Sequence, residues 1–195
     1  NTVAEMFDPE RQACFCDEQV PLSQALEREW DVDAHLLMYR IDGNVEGTEC
    51  AFARANKRAP FVTDLISKGG RITVHSLVFD YDLPKDAAGN KQEWTGEWLT
   101  WFVQALDQPS LSHLKPSAIY TTLHGARLIH VLTSPVTHLE AEGLMLGVLR
   151  DFREAGIQLD ESCHDWTRLF RLPKTVREDS GTQFGDHPFF QLWPG

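Results

Sequence analysis

Residues 71–82 read RITVHSLVFDYD, a run rich in β-branched and aromatic residues that closes on two acids. This composition is typical of a buried strand, and we predict a strand over the whole segment. Because side chains alternate between the faces of a strand, Asp80 and Asp82 point the same way. Paired carboxylates of this kind suit magnesium or manganese. A lone acid pair is more typical of a solvated strand end, so the metal-site interpretation depends on the rest of the chain.

A second segment, residues 120–132, reads YTTLHGARLIHVL. Polar and small residues around His124 and Gly125 separate two apolar runs. This pattern predicts a β-hairpin with strands over 117–121 and 127–132.

A third segment, residues 159–177, reads LDESCHDWTRLFRLPKTVR and places acids before a row of basic residues. We predict a strand over 165–172 and a turn at Pro173, because proline favours turns and cannot donate to a sheet ladder. Such a turn would let Arg171 and Arg177 reach the same phosphate groups.

The order of these segments resembles the archaeo-eukaryotic primase superfamily, which includes primase small subunits and primase-polymerases. Its members carry a hydrophobic-Asp-x-Asp/Glu motif, then a glycine-containing small-polar turn into a strand, then an Asp before a basic Arg-Leu-Pro-like segment. The resemblance covers residues 71–177 of this chain. It implies an α+β (mixed α/β) fold, in which a catalytic core similar to an RNA-recognition motif has a mostly antiparallel sheet flanked by helices.

The resemblance also implies three metal-site carboxylates, namely Asp80, Asp82 and Asp160. Asp160 is favoured for the third position because the basic residues that follow it match the family spacing; these are Arg168, Arg171 and Arg177, at plus eight, plus eleven and plus seventeen. Asp165 is the alternative, since some primases of mobile elements carry an acid just before their Arg-x-x-Arg.

The second motif departs from the family pattern. With Gly125 on the family glycine, Arg127 stands where the family has a histidine that contacts nucleotide. Either Arg127 replaces that histidine, or a shifted register gives its role to His124 or His130. Strand alternation places Arg127 and His130 on opposite faces. Thr122, in the same turn, is assigned to nucleotide binding with this group.

The triphosphate is expected to meet Arg171 and Arg177, because guanidinium groups bind phosphate bidentately and stay charged. Arg168 would face the other side of the strand, so it either contacts the template backbone or braces a carboxylate. Lys174 is a further candidate contact.

The implied function is that of a DNA primase or polymerase, a template-dependent nucleotidyltransferase that joins ribo- or deoxyribonucleoside triphosphates on single-stranded DNA. Two Mg²⁺ or Mn²⁺ ions would serve the nucleophile and the leaving pyrophosphate. A fused or associated helicase is an expected partner. Two alternatives stay open: a non-catalytic replication-initiation module of the same fold that binds nucleic acid, and a metal-dependent glycosyltransferase, which does not explain residues 160–177.

Composition sets limits on this interpretation. The 195 residues are 42% hydrophobic, which is enough for one well-packed domain. We expect an acidic, mainly helical N-terminal part over 1–70, packed on a catalytic core over 71–195. By the resemblance, such a domain can be a piece of a longer primase-helicase. No apolar run is long enough for a membrane span, and a cytoplasmic location is expected. Residues 1–49 hold 12 acidic and 3 basic residues, which accounts for most of the net charge of −11.

The remaining segments complete the predicted organisation. Helices are predicted over 21–38, 60–68, 93–106 and 139–155, the last ending at Gly156. The tryptophans of 93–106 recur at helical spacing, which is more typical of core packing than of base stacking. The tail, residues 180–195, is expected to fold back as a lid. Zinc is not expected, because Cys14 and Cys16 have no second closely spaced pair.

Overall fold

The computed structural model describes residues 2–7, 12–31, 33–42, 63, 66–175 and 190–192. Nine strands in these ranges form two sheets, and all strand pairs within them are antiparallel. Three α-helices accompany them: α1 (Leu22–Glu27), α2 (Gly96–Leu106) and α3 (His138–Glu154). The mixed α+β class with a mostly antiparallel sheet is therefore confirmed.

The larger sheet contains residues 71–82, the segment that ends in Asp80 and Asp82. Its five strands are β4 (Tyr39–Asp42), β5 (Arg71–Asp82), β6 (Ala118–Thr122), β7 (Gly125–Thr137) and β9 (Phe190–Leu192), in the order β4-β5-β7-β6-β9. The predicted strand over 71–82 and the predicted hairpin through His124 and Gly125 are both confirmed. β5 and β7 pair in a register that sets Asp80 opposite Arg127 and Asp82 opposite Gly125.

The smaller sheet is built largely from the N-terminal part of the chain. Its strands are β1 (Thr2–Phe7), β2 (Gln12–Gln19), β3 (Asp33–Leu37) and β8 (Phe170–Arg171), in the order β2-β1-β3-β8. The expectation of a mainly helical N-terminal part is wrong for the described residues of 1–70, which hold four strands, the six-residue α1 and helical residues at 63, 66 and 67.

The predicted helix over 21–38 ends early, at Glu27. Ala34 to Tyr39 are all buried, so both faces of this stretch are covered and its spacing alone could not distinguish a strand from a helix. The predicted strand over 165–172 is likewise wrong except at 170–171. A 3₁₀ turn at Glu161–His164 precedes it, and Asp165 accepts a hydrogen bond from the backbone N–H of Thr167 at 3.0 Å, which closes a local turn.

The helices α2 and α3 begin at matching N-caps. Thr95 caps α2 by accepting from the N–H of Trp98, and Thr137 with Glu140 forms a capping box at α3. Gly156 follows α3 with φ of +83°, a conformation that glycine adopts without strain, as the sequence predicted. Of the predicted helix over 60–68, the described residues 63, 66 and 67 are helical.

One hydrophobic cluster lies beneath both sheets. Its largest fully buried aromatic side chains are Trp166, Tyr39, Tyr120, Phe79, Phe102, Phe152 and Phe170. Helices cover one face of β5, since Tyr81 stacks on Phe102 of α2 at 4.6 Å between ring centroids. On the same face Phe79 meets His130 of β7 at 5.7 Å, and the His130 ring meets Phe152 of α3 at 6.3 Å. Asp80 alternates with these residues and lies on the other face. Among the described residues, no helix has the length and apolar character that a membrane crossing needs.

Of the tail predicted to form a lid, residues 180–189 and 193–195 lie outside the described residues. Residues 190–192 form β9, which pairs with β6 at the edge of the larger sheet.

Candidate active site

Backbone pairing brings two distant acids together. The chain leaves α3, reaches Leu159 and forms a bridge to Tyr81 of β5. The next N–H, that of Asp160, donates to the carbonyl of Asp80 at 2.8 Å. Asp160 therefore lies beside Asp80 because the backbone after α3 extends the edge of the larger sheet.

The two carboxylates form a cluster with a thiol. Ligand atoms of Asp80, Asp160 and Cys163 all lie within 4.8 Å of one another, close enough to hold a metal ion. Cys163 is fully buried and accepts a hydrogen bond from the Asp80 N–H at 3.3 Å. Burial raises the pKa of this thiol to about 12, so it stays neutral at physiological pH. The charged donors are thus two carboxylates, a set that fits Mg²⁺ or Mn²⁺.

Two guanidinium groups hold these carboxylates in place. Arg127 Nε donates to Asp80 Oδ1 at 2.9 Å, and Arg168 Nη2 lies 3.3 Å from Asp80 Oδ2. Arg168 Nη1 also donates to Asp160 Oδ2 at 2.8 Å. The ring of Phe170 lies under both arginines, 5.6 Å from the Arg127 Cζ and 5.5 Å from the Arg168 Cζ. Two positive and two negative groups therefore form one partly buried network.

Electrostatics favour the ionised form of Asp160. Burial opposes its charge, but hydrogen bonds from Arg168 and from the Ser162 hydroxyl and N–H outweigh burial and lower the pKa of Asp160. Asp160 also caps the 3₁₀ turn through Ser162. A short local turn thereby fixes the direction of the carboxylate.

Arg127 is tied to three elements of the fold. Besides Asp80, it donates through Nη1 to the Tyr120 hydroxyl at 3.1 Å and to the backbone carbonyl of Arg171. The Tyr120 hydroxyl donates to that same carbonyl at 2.7 Å. Burial alone would lower the pKa of Arg127, but the neighbouring Tyr120 and Asp80 outweigh burial and raise it.

The turn of the second motif is shaped by close backbone contact. A Cβ at Gly125 would lie 2.0 Å from the carbonyl oxygen of Tyr81, so only glycine fits. The indole N–H of Trp94 donates to the carbonyls of Thr122 and Gly125, at 3.1 and 2.8 Å. His124 Nδ1 lies 2.9 Å from the carbonyl of Gln92. The turn is thus tied to the segment before α2.

The structure brings four of the predicted site residues into one network: Asp80, Asp160, Arg127 and Arg168. Asp82 is exposed and is not part of the three-residue cluster. Asp165 accepts hydrogen bonds from the N–H and the hydroxyl of Thr167 within its own turn. Of the two acids weighed for the third carboxylate, Asp160 is the one beside Asp80.

His130 lies away from this network. Its ring packs between Phe79 and Phe152, on the face opposite Arg127, as strand alternation predicted. Its Nε2 is buried with no hydrogen-bond partner, and burial lowers the pKa of His130 to about 4.

Of the residues predicted to contact the triphosphate, the structure describes Arg171 and Lys174 but not Arg177. Arg171 lies in β8 beside the network, and its carbonyl is the acceptor described above. Lys174 is exposed, and its carbonyl accepts from the N–H of Trp30 at 2.8 Å. Arg177 lies outside the described residues, so the expected pairing of Arg171 with Arg177 stays a prediction.

Three residues of the network were not predicted: Cys163, Tyr120 and Phe170. Cys163 stands three positions after Asp160, but a single cysteine gives no pattern by which to select it. Tyr120 and Phe170 look like ordinary core aromatics in the sequence. Their polar and cation–π contacts depend on strand pairing that spacing does not reveal.

A cavity of about 760 Å³ opens beside the carboxylates. It lies where the end of β5 meets α2 and the segment after α3. Its lining consists of Tyr81, Asp82, Pro84, Trp98, Trp101, Gly156, Gln158, Leu159 and Asp160. Asp160 thus belongs to both the carboxylate cluster and the cavity, whereas Asp82 belongs to the cavity.

Comparison with known proteins gives one structural likeness. No protein-family model matches the chain, and no curated protein sequence matches it. Among solved structures, the chain is similar to the AEP domain of the primase-polymerase (PrimPol) of cyanophage S-2L. That match has a TM-score of 0.44 and 15% sequence identity, and it covers 99% of this chain and 80% of that chain.

Proposed function

We propose that this chain is a template-dependent nucleotidyltransferase of the archaeo-eukaryotic primase type. It would join nucleoside triphosphates on a single-stranded DNA template. The observation that carries the proposal is the meeting of Asp80 and Asp160. These residues are 80 positions apart in sequence, yet their oxygens lie within 4.8 Å of one another at the end of a sheet.

Asp80 and Asp160 would hold Mg²⁺ or Mn²⁺, and Asp82 would add a carboxylate from the cavity side. A divalent ion there would stabilise charge on the triphosphate and favour ionisation of the attacking 3′-hydroxyl. Neutral Cys163 is a poor ligand for such hard ions and serves as a packed neighbour.

The arginines divide into two groups. The contacts of Arg127 and Arg168 go to carboxylates and other protein atoms, which supports a positioning role for both. Arg171, Lys174 and Arg177 carry the remaining positive charge of this segment and would meet the triphosphate. Thr122 and His124 would contribute to nucleotide binding, since both lie in the turn that holds Gly125 against β5.

The experiment is templated incorporation of labelled nucleotide into a primer annealed to single-stranded DNA, with Mg²⁺ or Mn²⁺. The native chain should extend the primer, and Asp160→Asn should not. Asp165→Asn is the matched control, because the Asp165 carboxylate accepts hydrogen bonds from Thr167 within its own turn. Hydrolysis or transfer of a nucleotide sugar, measured in parallel, tests the glycosyltransferase alternative. Absence of metal-dependent incorporation by the folded native chain would overturn the proposal.

The balanced charge of the network favours a second candidate, a non-catalytic module that binds nucleic acid. Arg127 and Arg168 already neutralise Asp80 and Asp160, as they would in a purely structural ion-pair network. If this second candidate is right, the chain binds single-stranded DNA without a divalent ion and does not incorporate nucleotides.

A further inference from the structure

The outward face of α3 is apolar. Among the described residues seven large hydrophobic side chains are exposed, and three of these belong to α3: Leu139, Leu144 and Leu146, at 69, 44 and 56% exposure. A helix of a globular domain usually buries one apolar stripe and presents charged residues to the solvent. The buried stripe of α3 consists of Ala141, Met145, Val148, Leu149 and Phe152. The exposed leucines therefore form a second apolar face in addition to the one that packs on the core.

The residues in the middle of this face are placed symmetrically about Met145. Leu144 and Leu146 flank it at one position, and Gly143 and Gly147 flank it at two. At about 100° per residue the glycines lie along the centre of the outward face and the leucines lie on its two sides. A Cβ at either glycine would meet nothing within 4 Å, so the packing of this chain requires neither. This arrangement gives a second helix close access along the glycines, between two leucine sides.

Charge decides the direction in which a second copy of α3 would lie. Glu140 and Arg150 are both exposed, five positions before and five positions after Met145. In an antiparallel pair centred on Met145, Glu140 of one copy lies at the height of Arg150 of the other. A parallel pair would set each of these residues against its own counterpart and bring like charges together. The opposite partial charges of the helix ends also come together only in the antiparallel arrangement.

We propose that the outward face of α3 is a homodimer contact, in which two copies of this helix pack antiparallel about a two-fold axis at the height of Met145. Such a contact uses the same patch on both copies. Leu144 meets Leu144 of the second copy on one side of the glycines, and Leu146 meets Leu146 on the other. A helix of 17 residues is about 25 Å long, so the contact is smaller than a standard interface and the dimer is weak and concentration-dependent.

The dimer contact is independent of the proposed function. Phe152 of α3 packs on His130, on the sheet face opposite Asp80 and Arg127. The outward face of α3 is directed further away from those two residues. The carboxylates of both copies therefore lie away from the contact, and dimerisation can be measured without metal, nucleotide or DNA.

Sedimentation velocity between about 10 and 500 µM measures the self-association. The native chain should change from monomer to dimer over this range. Leu146→Glu sets two like charges against each other near the two-fold axis and removes an apolar contact, so it should weaken the dimer about tenfold or more. Leu123→Glu is the matched control, because Leu123 is 57% exposed in the turn between β6 and β7 and its replacement should leave association unchanged.

Gly143→Ala separates association from folding. Alanine favours the helix and its Cβ meets nothing within the chain, so the dilute variant should unfold at a higher temperature than the native chain. In the dimer the added methyl group would hold the two backbones apart, so the same variant should associate more weakly. A variant that associates as tightly as the native chain would overturn the close contact along the glycines.

Crosslinking with a short bismaleimide tests the antiparallel arrangement. Leu144→Cys and Leu146→Cys each place a thiol beside its counterpart, so both variants should form more crosslinked dimer than the native chain, which has four cysteines of its own. Leu139→Cys is the control, because the two copies of this position would be about 18 Å apart along the helix axis. Crosslinking at all three positions would indicate a parallel pair and overturn the proposal. So would a native chain that stays monomeric at every concentration, or a dimer that Leu146→Glu leaves unchanged.

Discussion

Arg168 and Asp160 are eight positions apart and joined by a 2.8 Å ion pair. The plus-eight spacing that stands out in the sequence is therefore a contact between an acid and the guanidinium that holds it. The same guanidinium reaches Asp80 at 3.3 Å. Arg168 braces the carboxylates, which was one of the two roles expected for it.

Replacing Arg168 should show how much its ion pairs with Asp160 and Asp80 stabilise the folded protein. Arg168→Gln is expected to lower the free energy of unfolding by about 1–3 kcal/mol at neutral pH, after allowance for partial exposure. Arg150→Gln, which breaks an exposed pair with Asp151, is the control and should change stability little. Urea unfolding monitored by circular dichroism measures both.

The loss in the free energy of unfolding caused by Arg168→Gln should also depend on pH. The folded-state pKa of Asp160 is lowered below its ordinary value. Stability from this ion pair is therefore full at neutral pH and is lost as the pH falls through the folded pKa. The native chain and the variant should converge in acid, and a deficit that is constant with pH would contradict this account.

The variants Asp160→Asn and Asp165→Asn should differ sharply in primer-extension activity. Asp160→Asn is expected to reduce primer extension by more than the roughly 10- to 100-fold typical of residues behind a metal ligand. Asp165→Asn should keep substantial activity, because that acid accepts hydrogen bonds from Thr167. Steady-state incorporation at fixed salt compares the two, and the reverse order of effects would move the third carboxylate to Asp165.

Gly125 should tolerate no side chain. A Cβ there would lie 2.0 Å from the backbone oxygen of Tyr81, so Gly125→Ala must push β7 away from β5. We expect a loss of about 3 kcal/mol or more in the free energy of unfolding. Gly143→Ala is a matched control in α3, where a Cβ meets nothing within 4 Å and alanine should stabilise by roughly 0.5–1 kcal/mol. Thermal unfolding of both variants gives the comparison.

His130 should make the fold sensitive to mild acid. Burial lowers its pKa from 6.5 to about 4, so the unfolded chain binds a proton before the folded chain does. Stability should fall as the pH drops below 6.5, by about 2 kcal/mol between about pH 7.5 and about pH 5. His130→Leu should remove that part of the slope. An identical pH dependence in this variant would show that folding does not lower the pKa of His130.

Strong local signals in the sequence predicted much of the central fold and part of the site. Strand β5 and the hairpin around Gly125 carry residue types that favour only one local structure, and both were predicted. Residues 34–37 fall within the predicted helix over 21–38 but lie in β3, because a fully buried stretch has no period that distinguishes a strand from a helix. The contacts of Cys163 and Tyr120 arise from strand pairing and loop placement, which depend on the whole chain.

The carbonyl of Arg171 accepts hydrogen bonds from both Tyr120 and Arg127, and this joins the two sheets mechanically. Arg171 belongs to the smaller sheet, whereas Tyr120 and Arg127 belong to the larger one. Arg127 also forms an ion pair with Asp80. Because Arg127 contacts both the Arg171 carbonyl and Asp80, a shift of one sheet against the other is expected to change the contact between Arg127 and Asp80. The strand β3, which pairs with β8, is thus connected through Arg171 and Arg127 to the carboxylate of Asp80.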